Sequence, residues 1–219
     1  MIREDFIMRQ VRLLTDALIR IVFLRQSGRV DEALTEVESS GKLVGARSGI
    51  SLTRLDPEEI VSLATTKDCL HIDSALTLFD LLVQAADLYE MQQRPEDRNE
   101  SAMRAVYVAL AIFDSDATSG RVDLPEKLDR MVRTCGLSTL SESIIRRLLS
   151  FYESQAEYGR AEDMLFVLVD RNSEGVRDLG LSFFERLEQI TPTRLRKGNL
   201  TLKEVREGRA QLLSELDPA

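Results

Sequence analysis

Tryptophan is absent, histidine occurs once, cysteine twice and proline five times in the 219 residues. Each scarcity removes a class of protein. Two cysteines, Cys69 and Cys135, build no disulfide framework, and neither belongs to a CxxC pair, so a reduced, cytoplasmic setting is expected. A single histidine, His71, would have to serve any Ser-His-Asp triad, and no nucleophile-elbow motif flanks a serine. No stretch reaches the roughly 18 uninterrupted apolar residues of a membrane span. The opening MIREDFIMRQ carries charge where a signal peptide needs an apolar run. Membrane and secretory roles are therefore not expected.

Positive charge is also in deficit, with 29 Lys and Arg against 37 Asp and Glu, a net charge of -8 and a pI near 4.9. Nucleic-acid binding draws most of its strength from cations that neutralise phosphates, so no nucleic-acid partner is expected. The most basic stretch, Arg194, Arg196, Lys197, Lys203, Arg206 and Arg209, is interspersed with Glu204 and Glu207 and reads as a solvated helix face.

What the chain has in quantity is Leu, Ala, Glu and Arg, all good helix formers, arranged with helical period. Between Phe6 and Gln26, Ile7, Val11, Leu14, Leu18 and Ile21 form one stripe. Met8, Leu13, Ile19, Phe23 and Leu24 form a second flank, which predicts neighbours on more than one side. The turn Ser27-Gly28-Arg29 reverses the chain into a helix from Val30 to about Gly41, with Ala33, Leu34 and Val37 inward. The glycines between Gly41 and Arg54 predict a loop or frayed end. Asp56-Pro57-Glu58-Glu59 opens a short helix to about Thr65. Asp73 precedes a helix carrying Ala75, Leu78, Phe79, Leu82, Ala86 and Tyr89, whose partner starts near Pro95 and carries Ala102, Ala105 and Ala109. A short helix runs from Pro125 to about Thr134. Thr139 with Glu142, and Thr201 with Glu204, have the spacing of capping boxes. Stripes through Ile144 to Tyr152, Ala161 to Leu168 and Val176 to Ile190, then Val205, Leu212, Leu213 and Leu216, complete an all-α reading with no alternating strand run.

The hairpins share a register: a large residue ends the first helix, a small one follows four later, and Ala follows five beyond. Leu24, Gly28 and Ala33 fit it, as do Tyr152, Ala156 and Ala161. In the middle unit Tyr89 is followed by Gln93, and Ala102 arrives four positions late, which a longer turn over Arg94 to Arg98 would explain. The register resembles that of tetratricopeptide (TPR) repeats, whose small residues let paired helices approach and stack into a superhelix. That resemblance implies a TPR-like antiparallel hairpin array with right-handed stacking. Met1, Ile2, Asp5, Met8 and Arg9 at one end, and Tyr158 to Asp163 at the other, also resemble an uncharacterised bacterial family of about this length with TPR-like helical character and no established activity.

One elongated domain over 1–219 is therefore expected: a first hairpin and loop over 1–54, a middle hairpin over 55–118, a later hairpin over 119–190 and a C-terminal capping helix over 191–219. No catalytic, cofactor or metal site is predicted. Cys69, His71 and Asp73 stand at alternate positions, which suit no helix face as metal ligands. The run Asp114, Asp116, Thr118 and Gly120 misses the glycine and glutamate positions of a calcium loop. Gly41-Lys42 lacks the GxxxxGK[ST] phosphate-loop pattern. The remaining candidate is the groove lined by the first helix of each hairpin, with Arg20, Arg25, Gln84, Glu90 and Arg147 as partner-binding residues. The expected function is a non-catalytic protein or peptide interaction module, the alternatives being a homodimer formed through the second flank of the first helix and, less favoured, an enzyme with an unrecognised site.

Overall fold

The computed structural model describes residues 2–43, 51–115 and 123–216, the side chains of 2–8, 10 and 41–43 excepted. Among them are eleven α-helices, two single-turn 3-10 helices and one small hairpin of two strands, so the protein is all-helical. The chain separates into two compact units, 1–139 and 140–219. Their boundary falls inside the 119–190 segment expected to be one later hairpin.

In the first unit α1 (Ile2–Gln26) packs against α2 (Val30–Leu43) and against α4 (Ile72–Met91). Helix α4 pairs with α5 (Pro95–Asp114), and α5 with α6 (Leu124–Cys135). The short α3 (Pro57–Leu63) lies on α5. Helix α4 is the centre of this unit: Leu78, Phe79, Leu81, Leu82, Ala85 and Leu88 are all essentially inaccessible to solvent. At about 25 cal/mol per Å² of apolar surface removed from water, such a helix is held by burial rather than by its intrinsic propensity. The segment before α3 is tied down by polar contacts, because Arg104 Nε donates to the Leu55 carbonyl at 2.8 Å and Tyr89 shares a 3.3 Å hydroxyl hydrogen bond with Thr53.

In the second unit α7 (Glu142–Ser154) and α8 (Tyr158–Asp170) form a hairpin, followed by α9 (Val176–Glu188), α10 (Pro192–Lys197) and α11 (Leu202–Leu216). Helix α11 packs on α9 and α8, burying Val205 and Leu212. The single capping helix expected over 191–219 is thus two helices. Glycines permit this packing: a Cβ on Gly180 would strike Leu212, and one on Gly208 would strike the Glu162 carboxylate and come within 3.0 Å of Phe184.

The shared turn has a different cause from the one its register implies. Gly28, Gln93, Ala156, Asn172 and Asn199 all have positive φ, between 52° and 73°. Each donates its N–H three residues back, and the next residue donates to the carbonyl of Leu24, Tyr89, Tyr152, Leu168 or Leu195 at 2.9–3.0 Å. This is the Schellman C-cap, in which the C′ residue is left-handed. The fourth position is small in Gly28 because the backbone demands φ near +73°; a Cβ there would meet nothing within 4 Å. Close helix approach belongs instead to Ala33, Ala102 and Ala161, each fully buried. The middle turn is also no longer than the others, since α5 begins two residues after Gln93 as α2 begins two after Gly28.

Other local expectations are corrected as well. Two-residue strands β1 (Thr65–Thr66) and β2 (Cys69–Leu70) pair antiparallel around Lys67 and Asp68, both at positive φ, where the sequence predicts only a helix end. Helix α4 starts one residue before Asp73, with His71 as its N-cap, so Asp73 lies in the first turn. The cap of α7 is Ser141, whose hydroxyl accepts the Ile144 N–H at 3.4 Å, whereas Thr139 donates back to the Cys135 carbonyl. The Thr201–Glu204 box is present, with reciprocal bonds of 2.7 and 3.3 Å. The second flank of α1 is not covered: Ile19 and Phe23 are each 63% exposed and Leu13 40%. Leu213 is likewise exposed, so it leaves the α11 stripe. The glycines Gly45 and Gly49 and the Asp116, Thr118 and Gly120 positions lie outside the described residues.

Candidate functional site

Polar residues break the apolar surface of α4 along one face only. Asp73, Thr77, Asp80, Gln84 and Asp87 recur at steps of four and three, which aligns them in a single stripe. Helix α6 offers a complementary stripe, Asp123, Lys127, Arg130 and Thr134, at the same steps. The two meet as a ladder: Lys127 Nζ lies 2.8 Å from Asp80 and 2.8 Å from Asp123, and Arg130 pairs with Asp87. Asp87 also receives Arg25 of α1 at 2.7 Å, and the same guanidinium donates to Gln84 at 2.8 Å. Burial alone pulls the Lys127 ammonium down, but its hydrogen bonds to Asp123 and Asp80 outweigh that and hold it above the ordinary lysine range. A lysine raised in this way stays charged and keeps the ladder closed at neutral pH.

Beyond Asp87 the ladder opens into a groove of about 270 Å³ lined by Asp87, Glu90, Arg98, Arg130, Arg133 and Thr134, with Ala86 and Met131 as apolar wall. Arg98 comes from the first turn of α5 and pairs with Glu90, while Asn99 Oδ1 accepts from its Nε and Nη2 at 3.0 and 2.9 Å. Arg133 pairs with Asp129 one turn back on α6. Arg130 and Arg133 face solvent, their side chains 43% and 64% exposed, whereas Arg98 is half-buried. Chemically the groove offers guanidinium forks, which suit planar or tetrahedral oxyanions.

Arg98 occupies a telling position. Five residues beyond the left-handed C′ residue stand Ala33 in the first hairpin and Ala161 in the α7–α8 hairpin; five beyond Gln93 stands Arg98. The departure from the hairpin register is therefore a groove residue, not a longer turn.

The expected partner-binding residues are distributed unevenly. Arg25 and Gln84 are hydrogen-bonded to each other beside Asp87, and Glu90 lines the groove. Arg20 lies on a different part of the first unit, its Nε donating to Glu36 at 2.8 Å across the α1–α2 pair. Arg147 belongs to α7 of the second unit and is half-buried. Sequence reasoning missed Asp80, Asp87, Lys127, Arg98, Arg130 and Arg133. The available signal was the stripe Asp73, Thr77, Asp80, Gln84 and Asp87, at steps of four and three, in a helix whose remaining residues are mostly apolar.

The second unit has a different chemical feature. Burial, with Asp163 and Glu204 nearby, raises the Glu162 carboxyl to about 7 where it faces Gly208 between α8 and α11. Of the two cysteines, Cys69 is exposed on β2, and burial pushes the Cys135 thiol up to about 11, which suppresses the thiolate. Among the described residues no three His, Cys, Asp or Glu side chains converge as metal ligands, and no helix is long and apolar enough to cross a membrane.

The chain belongs to a family of unknown function, DUF6483, whose model matches residues 1–217. No curated protein and no solved structure matches it.

Proposed function

We propose that this protein is a non-catalytic, TPR-like helical-hairpin module of the bacterial cytoplasm that holds a protein partner in the α4–α6 groove, its first-unit hairpins stacked in the right-handed sense of such arrays. One observation carries the reading: Arg130 and Arg133 face solvent, and the half-buried Arg98 joins them, in a groove built on the most deeply buried helix of the unit. Contact groups projecting from a rigid helix lose little freedom on binding, which is the advantage of a preformed interaction surface. The Schellman turns at Gly28, Gln93 and Ala156, each followed two residues later by the next helix, support the hairpin-array part of the reading. The polar groups that line the groove are guanidinium forks, two carboxylates and one hydroxyl.

Affinity capture from lysate of the source organism tests this reading, with the full chain as bait beside an Arg98→Glu/Arg133→Glu variant shown by circular dichroism to keep its helix content. A protein enriched on the wild type and lost on the variant supports groove binding. Equal enrichment on both refutes it.

A second reading is favoured by the uncovered face of α1. Ile19 and Phe23, four residues apart and each 63% exposed, would bury apolar surface against a second copy of the chain. Light scattering across a dilution series, with Phe23→Glu for comparison, separates the two: a dimer mass abolished by the substitution favours self-association.

A further inference from the structure

The groove arginines carry different numbers of ties, and the difference points to a ligand. Arg130 is fixed by Asp87, a mostly buried carboxylate that also holds Arg25. Arg98 is held in place by Asn99, but its charge is met by Glu90, whose side chain is 62% exposed. A solvent-exposed ion pair contributes little to stability, so an incoming anion can take the place of Glu90 without unfolding anything. Glu90 shows what the Arg98 fork accepts, a carboxylate, and exchanging it for a carboxylate of the partner leaves the charge of the groove as it stands, with Arg98, Arg130 and Arg133 facing Asp87 and the newcomer.

Resting on the partner-binding reading above, we propose that the α4–α6 groove receives a single glutamate or aspartate side chain of the partner, with Arg98 as the principal fork and Glu90 as the internal carboxylate that it displaces. Arg133 supplies the outer contact. Glu90 thus sets the affinity from within, as a tethered competitor for the same guanidinium. The middle hairpin has Arg98 where the α1–α2 and α7–α8 hairpins have alanine, its own packing alanine, Ala102, standing one turn further on.

The test titrates isotope-labelled full chain with short acetylated and amidated peptides that carry one glutamate, or glutamine or phosphoserine at the same position, and follows the α4–α6 amide resonances. The glutamate peptide is expected to bind and the glutamine peptide not. Arg98→Gln should weaken binding about tenfold. Glu90→Gln should tighten it about threefold, a gain that a purely structural role for Glu90 would not produce. If Arg98→Gln fails to fold, Glu90→Gln and Arg133→Gln still decide. Absence of glutamate-peptide shifts at millimolar concentration, unchanged affinity in Glu90→Gln, or tighter binding of the phosphoserine peptide overturns the proposal. The two levels separate cleanly: capture lost on the groove variant with no peptide binding refutes the carboxylate assignment alone, and capture unaffected by the variant refutes the groove itself.

Discussion

Asp80 and Asp87 in the first unit and Glu162 in the second are all carboxylates on helices with large apolar faces, yet their surroundings differ in sign. The two aspartates meet Lys127, Arg130 and Arg25. Glu162 sits against the bare backbone of Gly208, and the charges that act on it, Asp163 and Glu204, are both negative. The first arrangement compensates a desolvated charge by ion pairing; the second favours its removal by protonation. The contrast is one of compensation: the first unit's carboxylates hold arginines in place, whereas Glu162 lies between α8 and α11 with no cation among the described residues acting on it.

Removing the carboxylates should break the comparison most clearly. Asp87→Ala strips two arginines of their common acceptor and should lower stability by about 2–3 kcal/mol at pH 8, read as a fall in urea midpoint. Glu162→Ala at the same pH removes an unfavourably placed charge and should cost far less. Next in size is Gly208→Ala, whose Cβ would press on the Glu162 carboxylate and the Phe184 ring. A loss of about 1–2 kcal/mol is expected, seen as faster amide exchange in α11 with α4 to α6 unchanged.

The pH response has a definite sign. Because Glu162 titrates near 7 in the folded protein against an ordinary 4.5, the folded state binds its proton more tightly than the unfolded chain does. The stabilisation is complete below pH 4.5, declines as pH rises toward 7 and changes no further above it. Protection of the α11 amides, corrected for intrinsic exchange, should therefore fall across that window, and Glu162→Gln should flatten the profile. The smallest effect concerns the turns that both units share. Ala156→Gly should stabilise by about 0.5–1 kcal/mol because glycine accepts φ of 59° without strain, and Gly28→Ala should destabilise by a similar amount. Equal effects of both signs on thermal midpoints would show that these positions answer to backbone conformation rather than to helix proximity.

The helical class and most helix positions were legible because apolar residues at three- and four-residue steps report which face is buried, and α4 and α5 follow that rule along their length. The turn register was legible too, but its meaning was not: Gly28 and Ala156 are small residues in sequence and left-handed residues in space, and only Gln93 hinted that size was irrelevant. The strand pair at Thr65 to Leu70 is too short to leave a period. The groove was half legible. Arg25, Gln84 and Glu90 could be placed on the accessible side of their helices, but Arg130 and Arg133 depend on α6 returning alongside α4, a tertiary fact without a local pattern. Arg98 was visible only as an irregularity, standing five residues beyond Gln93 where Ala33 and Ala161 stand five beyond Gly28 and Ala156.

One capture experiment tests the division between the units most directly. Arg98→Glu/Arg133→Glu in the first unit is compared with Arg194→Glu/Arg196→Glu on the exposed face of α10 in the second, two variants with the same change in net charge. The account predicts that the partner is lost from the first variant and retained by the second. Loss from the second variant, or retention by both, would contradict it.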